Sequence, residues 1–159
     1  MPVIYLTTII KVPKEHVFDL SRSIDLHQQS MQHTNEKAIG GRTSGLIEQG
    51  EIVTWQAKHL FKKRSLTVKI TSMQPYDHFT DEMVEGDFIS MHHEHHFSFE
   101  QGYTTMKDVF CFEVPFGILG KVVCKIFLTA YMKNILQKRN SFLKKYAETV
   151  ETESINLID

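Results

Sequence analysis

The sequence predicts an α+β domain in which a strand and two short helices precede a run of five antiparallel strands, with one long helix at the end. Hydrophobic residues alternate with period two in the central segment, and their spacing becomes helical after Gly117. Pro and Gly residues mark the boundaries between segments. At 159 residues, 42% of them hydrophobic, the chain is long enough for one domain with a substantial core. We expect that domain over residues 1–150 and a polar, disordered tail over residues 151–159.

The N-terminal segment predicts one strand and two short helices. Residues 3–12 are mainly β-branched and aromatic on both alternating faces, so both faces are expected to be at least partly buried. Pro13 ends this strand and favours the start of a helix. A second helix is predicted over residues 23–34, where His27 shares a stripe with Ile24 and Met31. His27 is therefore expected to face the core.

The central segment predicts the sheet. Residues 40–45 are rich in glycine and indicate an irregular connector. Lys62, Lys63 and Arg64 are predicted to form the exposed tip of the first hairpin. The five strands are predicted over residues 51–59, 66–71, 78–84, 90–100 and 103–113.

The C-terminal segment predicts one helix over residues 118–148. Its apolar residues lie on one face up to about residue 127 and on nearly the opposite face from residue 128 onwards. This change of phase predicts a bend or break near residues 128–131.

Three segments carry a resemblance to a known superfamily. They are VPKEHVFDL at residues 12–20, GLIEQGEIVTWQAKH at residues 45–59, and the stretch that begins with FGILG at residues 116–120 and runs through Arg139 and Asn140. With the order of elements, they resemble the START-like helix-grip superfamily, also called SRPBCC, which includes pollen allergens and polyketide cyclase-like proteins. The likeness covers residues 3–148 and points to small bacterial ligand-binding SRPBCC domains. It implies a curved sheet that wraps around the last helix and leaves an elongated apolar cavity, and it implies no shared catalytic residue.

The strand pattern predicts which side chains line such a cavity, because the last helix can cover only one face of the sheet. That inner face is predicted to carry Trp55, Ala57, His59, Phe79, Asp81, Met83, His93, His95, Phe97, Phe99, Met106, Asp108, Phe110 and Phe112. The ligand-binding candidates are Trp55, Ala57, His59, Met83, His95, Phe97, Phe110 and Phe112, with Tyr131 and Ile135 from the last helix. Apolar pockets with a few convergent polar groups are the usual form of small-molecule sites. The function predicted first is therefore binding of a small hydrophobic molecule, lipid- or polyketide-like, without catalysis.

The polar residues of this face leave two other functions open. His59, His95, Asp81 and Asp108 are candidate acid–base groups, because imidazole titrates near neutral pH and a carboxylate can fix its tautomer. Such groups would make a cyclase- or dehydratase-like enzyme. The third alternative is an adaptor that holds another protein on the outer sheet face or in a helix groove.

A histidine-rich run at residues 92–96 raises the question of a metal. Strand alternation sends His93 and His95 to one face and His92, Glu94 and His96 to the other. Zinc would need a third protein ligand, which the distant His59, Asp81 or Asp108 would have to supply. Because this spacing is a weak metal signal, no metal or cofactor is predicted. The outer set is expected to be solvated and the inner set hydrogen-bonded to carboxylates.

The amino-acid composition limits the classes of binding partner that we expect. The 18 Lys and Arg residues nearly balance the 19 Asp and Glu residues, so no nucleic-acid partner is expected. No segment approaches the roughly 20 apolar residues of a membrane span. The lack of a secretory signal and the presence of two cysteines, Cys111 and Cys124, predict a cytoplasmic location. The expected partner is a small hydrophobic ligand, and a homodimer stays open as the assembly.

Overall fold

The computed structural model describes residues 1–115, 122 and 127–156. Within these residues the predicted α+β class is confirmed, with a curved antiparallel sheet and a long C-terminal helix. The elements in chain order are β1 (Val3–Ile10), α1 (Lys14–Ser21), α2 (Ile24–Ser30), a 3₁₀ turn (Gln32–Thr34), β2 (Lys37–Gly41), β3 (Ile52–His59), β4 (Lys62–Gln74), β5 (His78–Glu85), β6 (Ser90–Glu100), β7 (Tyr103–Glu113) and α3 (Thr129–Asn156).

All seven strands belong to one antiparallel sheet with the order β1-β7-β6-β5-β4-β3-β2. The first strand therefore pairs with the last one, and β2 lies at the opposite edge. The register between β4 and β5 shifts at two places, between Thr67 and Val68 and between Ile70 and Ser72. Such irregularities bend a strand and increase its twist, which favours the curvature of this sheet.

The helices cover the inner face that strand alternation predicts. Phe18 of α1 packs edge-on against Phe79 and Phe97, with ring centroids 5.6 and 5.3 Å apart, and Asn140 of α3 bonds to Asp108. Phe99 follows Phe97 by two residues and shares its face, but it is 48% exposed near the end of β6. Every other residue of the predicted inner face is buried or half-buried.

The prediction that both faces of the first strand are buried was also wrong. Ile4 and Ile10 are in the core, whereas Val3 and Tyr5 on the other face are 40% and 70% exposed. Aromatic and β-branched residues favour the extended backbone whether or not they are buried, so their presence on two faces does not imply two covered faces.

Two local features of the sheet differ from the sequence prediction. Gly40 and Gly41 belong to the edge strand β2, not to an irregular connector, and the register with β3 shifts beside them. The tip of the β3–β4 hairpin is formed by Leu60 and Phe61, while Lys62 already belongs to β4. Both tip residues have positive φ, 50° and 66°, as in the two-residue turns that suit strand twist. The predicted tip at Lys62, Lys63 and Arg64 was wrong because Leu60-Phe61 lacks the Asn or Gly that usually marks such turns.

The two short helices bring groups from outside the sheet to its inner face. α1 follows Pro13 as predicted, and α2 is capped by the Ser23 side chain, which accepts a hydrogen bond from the Leu26 amide. The second predicted helix is split, since α2 ends at Ser30 and a 3₁₀ turn follows. His27 faces inward as predicted and stacks on Trp55 at 4.2 Å.

α3 packs one side against the sheet and the short helices. Its buried residues recur at helical spacing and are Ile135, Leu136, Arg139, Asn140, Leu143 and Ala147. Phe127 and Leu128 are π-helical and come just before it, close to the predicted change of phase. The helix continues to Asn156, past the end predicted near residue 148. The predicted helix start at Ile118, and Cys124, lie outside the described residues.

Candidate functional site

A cavity between the inner sheet face and α3 consists of two chambers. The central chamber, about 160 Å³, lies between Ile135 and Arg139 of α3 and the middle of the sheet, including His93, His95 and Phe110. The hairpin chamber, about 470 Å³, lies beside the β3–β4 hairpin. The hairpin chamber is lined by Glu36, Trp55, Ala57, His59, Leu60, Arg64, Ser65, Leu66, Asp87, Phe88, Val114, Pro115, Phe127, Leu128, Tyr131 and Met132.

The two chambers adjoin each other. Six residues line both of them, namely Glu36, Trp55, His59, Leu66, Phe88 and Met132. The volume of the hairpin chamber by itself falls in the range of small-molecule pockets, about 300–1,000 Å³. The lining is mainly apolar in both chambers, and the central chamber adds a group of ionisable residues.

The ionisable group is the Asp–His cluster, defined as Asp81, His93, His95 and Asp108. Strand register assembles it, because Asp81 of β5 pairs with His93 of β6, and His95 of β6 pairs with Asp108 of β7. His93 Nε2 donates to Asp108 Oδ1 at 3.1 Å, and His95 Nε2 donates to Asp81 Oδ1 at 3.2 Å. His95 Nδ1 also lies 2.8 Å from Asp108 Oδ1 but off the N–H axis, so this contact is an ion pair.

The two histidines differ in protonation because their surroundings differ. Burial lowers the pKa of His93, and the neighbouring His95 lowers it further. The hydrogen bond to Asp108 raises this pKa by less than these two effects lower it, so the pKa remains below its usual value. Burial also lowers the pKa of His95, but its contacts with Asp108 and Asp81 outweigh burial and leave that pKa raised. His95 therefore carries the proton more readily than His93.

Both carboxylates of the cluster are held in their charged form. Burial raises the pKa of Asp81, but the hydrogen bond from His95 and the charge of His93 outweigh burial and lower it. In the same way, contacts with His93 and His95 outweigh burial at Asp108 and hold its pKa well below the usual range.

α3 adds two polar residues behind and beside the cluster. Asn140 Nδ2 donates to Asp108 Oδ2 at 2.7 Å. Arg139 lines the central chamber, and its Nη2 donates to the Ser21 carbonyl at 3.1 Å. Arg139 Nη1 is buried 3.8 Å from Asp108 Oδ1 and has no hydrogen-bond acceptor among the described residues. An unsatisfied buried donor of this kind is uncommon and calls for an explanation.

Two further polar pairs include residues that line both chambers, Glu36 and His59. Glu36 Oε1 accepts from His27 Nε2 at 2.5 Å, and the same His27 ring stacks on Trp55. His59 Nδ1 and the Tyr131 hydroxyl, which also belong to the lining of the hairpin chamber, are 3.0 Å apart. Burial raises the pKa of Glu36, but the charge and hydrogen bond of His27 outweigh burial and lower it.

The structure brings most of the predicted site residues to this cavity. Of the acid–base candidates, His95, Asp81 and Asp108 lie together, whereas His59 pairs with Tyr131. The ligand-binding candidates that line the cavity are Trp55, Ala57, His59, His95, Phe110, Tyr131 and Ile135. Met83, Phe97 and Phe112 are outside the lining of both chambers. Phe97 packs among Phe18 and Phe79 instead, because α1 covers that end of the sheet.

Arg139 and Glu36 are among the lining residues of this cavity that sequence reasoning missed. Arg139 follows Ile135 by one helical turn, so helical spacing could have predicted that both residues lie on the buried face of α3. Glu36 follows a 3₁₀ turn and lies outside any periodic segment, so no local pattern pointed to it.

Comparison with known proteins identifies solved structures that have a similar fold. No family model matches the sequence, and no curated protein matches it. TTHA0849 from Thermus thermophilus superposes with a TM-score of 0.76 and 16% identity, over 94% of this chain and 99% of that one. A START superfamily protein from Mycobacterium smegmatis superposes with a TM-score of 0.69 and 12% identity, over 93% of this chain and 98% of that one. Ginseng major latex-like protein 151 from Panax ginseng superposes with a TM-score of 0.65 and 14% identity, over 92% of this chain and 97% of that one.

These similarities confirm the predicted resemblance, and the chain has a START-like, or SRPBCC-like, helix-grip fold. In the described part of the chain, no helix is both long and apolar enough to cross a bilayer.

Proposed function

We propose that this protein binds a small hydrophobic molecule, lipid- or polyketide-like, that carries a neutral acceptor oxygen at one end. The observation that carries the proposal is the mainly apolar two-chamber cavity with an unsatisfied, buried Arg139 Nη1 at its central chamber. The apolar body of the ligand would occupy the hairpin chamber. Its oxygen would bond to Arg139 Nη1 after a small shift of this side chain, because Nη1 is shielded from solvent in the structure.

The apolar walls supply the affinity in this proposal. Trp55, Ala57 and Leu66 from the sheet face Tyr131 and Met132 from the helix side. Each 100 Å² of apolar ligand surface removed from water contributes about 2.5 kcal/mol. A ligand of modest size therefore gains enough to offset the loss of its translational and rotational freedom.

The state of Arg139 favours a neutral oxygen over an anion. Its charge is already balanced by Asp108, whose Oδ1 is 3.8 Å from Nη1. What Nη1 lacks among the described residues is an acceptor at hydrogen-bond distance. A carbonyl or hydroxyl oxygen can supply that bond without adding a further negative charge beside Asp81 and Asp108. Hydrogen bonds to a charged donor contribute about 1.5–3 kcal/mol, which would orient the ligand.

A fluorescent displacement assay tests this proposal. Purified protein is titrated with N-phenyl-1-naphthylamine, a neutral apolar probe, and the probe is then displaced by long-chain ketones and by alkanes of equal length. We expect saturable binding of the probe and stronger displacement by the ketone, because the alkane leaves Arg139 Nη1 unsatisfied.

A matched pair of variants shows where the probe binds. Ala57 is 5% exposed and lines the hairpin chamber, whereas the next residue, Lys58, points to solvent. Ala57→Phe fills the chamber and should weaken probe binding at least tenfold, while Lys58→Phe adds the same ring outside it and should leave binding unchanged. No saturable binding by the wild type, or equal binding by both variants, would overturn the proposal.

A further inference from the structure

The Asp–His cluster has the composition and layout of a metal site. One ligand atom each from Asp81, His93 and His95 lies within 4.8 Å of the other two, and all three residues line the central chamber. The two imidazole rings are side by side on β6, with centroids 3.9 Å apart. The third ligand, which the spacing of the histidines alone does not provide, comes from the neighbouring strand β5.

The ring nitrogens are divided between two carboxylates. His93 turns Nε2 to Asp108 and His95 turns Nδ1 to Asp108, at 3.1 and 2.8 Å from Oδ1. The other nitrogens, His93 Nδ1 and His95 Nε2, both lie on the side of Asp81, at 3.9 and 3.2 Å from its Oδ1. Histidines that bind metals commonly direct their second nitrogen to a carboxylate, as His93 Nε2 does by a hydrogen bond and His95 Nδ1 by an ion-pair contact. Asp108 is held in turn by Asn140 at 2.7 Å.

We propose that Asp81 Oδ1, His93 Nδ1 and His95 Nε2 bind a divalent transition metal ion such as Zn²⁺, with Asp108 orienting both imidazoles. Imidazole and carboxylate ligands suit such ions. Bonds of about 2.0–2.2 Å in tetrahedral geometry place ligand atoms about 3.4 Å apart. The distances of 3.2 and 3.9 Å from Asp81 Oδ1 are close to that spacing, so small side-chain movements would complete the site.

The position of the cluster gives the ion an open coordination site. Its three protein ligands form part of the chamber wall, while Asp108 is not part of the lining and is nearly inaccessible. Three protein ligands with a free position are typical of zinc ions that bind a water or a substrate. This site goes beyond the binding of a hydrophobic molecule, because the ion could polarise an oxygen that Arg139 also contacts. It would use His95 Nε2, so it also excludes that atom as the proton carrier of the acid–base alternative.

The opposite face of β6 provides a control within the same strand. His92 and His96 belong to an outer row with Glu82 and Glu94, in which both nitrogens of His92 and Nε2 of His96 contact glutamate oxygens. The side chains of His92 and His96 are 37% and 47% exposed. Exchange of both residues for glutamine leaves the inner pair intact.

The experiment uses metal alone, without any hydrophobic compound. Protein treated with a chelator and dialysed is titrated with Co²⁺, followed by visible absorption, and with Zn²⁺ by calorimetry. We expect one equivalent to bind with the absorption of Co²⁺ in a nitrogen and oxygen site. Asp81→Asn and, separately, His93→Gln should weaken binding at least tenfold. The double variant His92→Gln/His96→Gln should bind as the wild type does.

Two outcomes of the metal titration would contradict the proposed site. The absence of stoichiometric binding by the wild type would overturn the site, whether or not any variant folds. Binding that survives Asp81→Asn in a folded protein but disappears in the His92→Gln/His96→Gln double variant would place the metal on the outer row instead. Either result leaves probe binding in the cavity unaffected, and failure of probe binding leaves the metal titration valid.

Discussion

Arg139 Nη1 lies 3.8 Å from Asp108 Oδ1, a separation that balances the two charges but leaves the donor without a hydrogen bond among the described residues. Nη2 of the same guanidinium donates to the Ser21 carbonyl at 3.1 Å. In the proposed function, this donor beside the apolar cavity recognises one oxygen atom of a hydrophobic ligand.

Arg139→Met should therefore weaken oxygen-bearing ligands selectively. We expect the affinity for a long-chain ketone to fall by about tenfold or more, in keeping with the loss of a charged hydrogen bond. The affinity for an alkane of equal length should change little, because Met keeps most of the apolar stem. Lys138→Met, at an exposed position of the same helix, serves as the control. Equal losses for ketone and alkane would show that Arg139 acts through packing alone.

The buried carboxylate of Asp108 should be important for stability. Asp108→Asn weakens the contacts with His93 and His95 and leaves Arg139 without its nearby charge. Breaking a buried charged group in this way costs about 3–5 kcal/mol in the free energy of unfolding.

Urea denaturation measures this loss directly. Asp77→Asn is the matched substitution, since its ion pair with Lys14 is half-exposed and should contribute about 1 kcal/mol or less. Comparable losses for the two variants would be inconsistent with a cluster that depends on Asp108.

Acid should destabilise the fold partly through Glu36. The pKa of Glu36 is lowered in the folded state, where His27, His59 and Arg139 all place positive charge near its carboxylate. Its stabilising contribution is therefore fully present above the unfolded pKa of about 4.3, and it is lost as the pH falls through the folded pKa.

Glu36→Gln should flatten this part of the stability profile. Denaturation midpoints measured from about pH 6 down to about pH 3 should fall less steeply for the variant than for the wild type. Glu85→Gln, at an exposed position at the end of β5, is the control and should follow the wild type. Parallel profiles for Glu36→Gln and the wild type would show that Glu36 keeps an ordinary pKa in the folded protein.

The tip of the β3–β4 hairpin carries backbone strain. Phe61 has a φ of 66° and is 95% exposed, so its side chain gains little from burial. Left-handed backbone costs a residue with a Cβ about 1–2 kcal/mol, a cost that glycine avoids. We expect Phe61→Gly to be more stable than Phe61→Ala by about 1 kcal/mol in thermal unfolding. An alanine variant as stable as the glycine variant would mean that the turn is relaxed in solution.

Sequence patterns predicted the layer structure and most of the inner face because period-two alternation fixes which side of a strand each residue occupies. His93 and His95 were assigned correctly to the inner face for this reason. The same pattern could not show that Asp81 pairs with His93 and Asp108 pairs with His95, since register depends on how whole strands align.

Other features depended on tertiary context. The edge strand β2 contains Gly40 and Gly41, whose composition favours turns, and it is held by pairing with β3. Phe97 lies on the correct face but outside the cavity lining, because α1 fills that end with Phe18. The extent of a cavity depends on which elements cover the sheet, and strand alternation contains no information on that coverage.

A crystal structure of the protein with a long-chain ketone bound tests the central claim most directly. We expect the alkyl chain in the hairpin chamber beside Trp55 and Ala57, with the ketone oxygen within hydrogen-bond distance of Arg139 Nη1. A ketone bound on the surface, or one whose oxygen lies in the hairpin chamber away from Arg139, would contradict the proposed mode of binding.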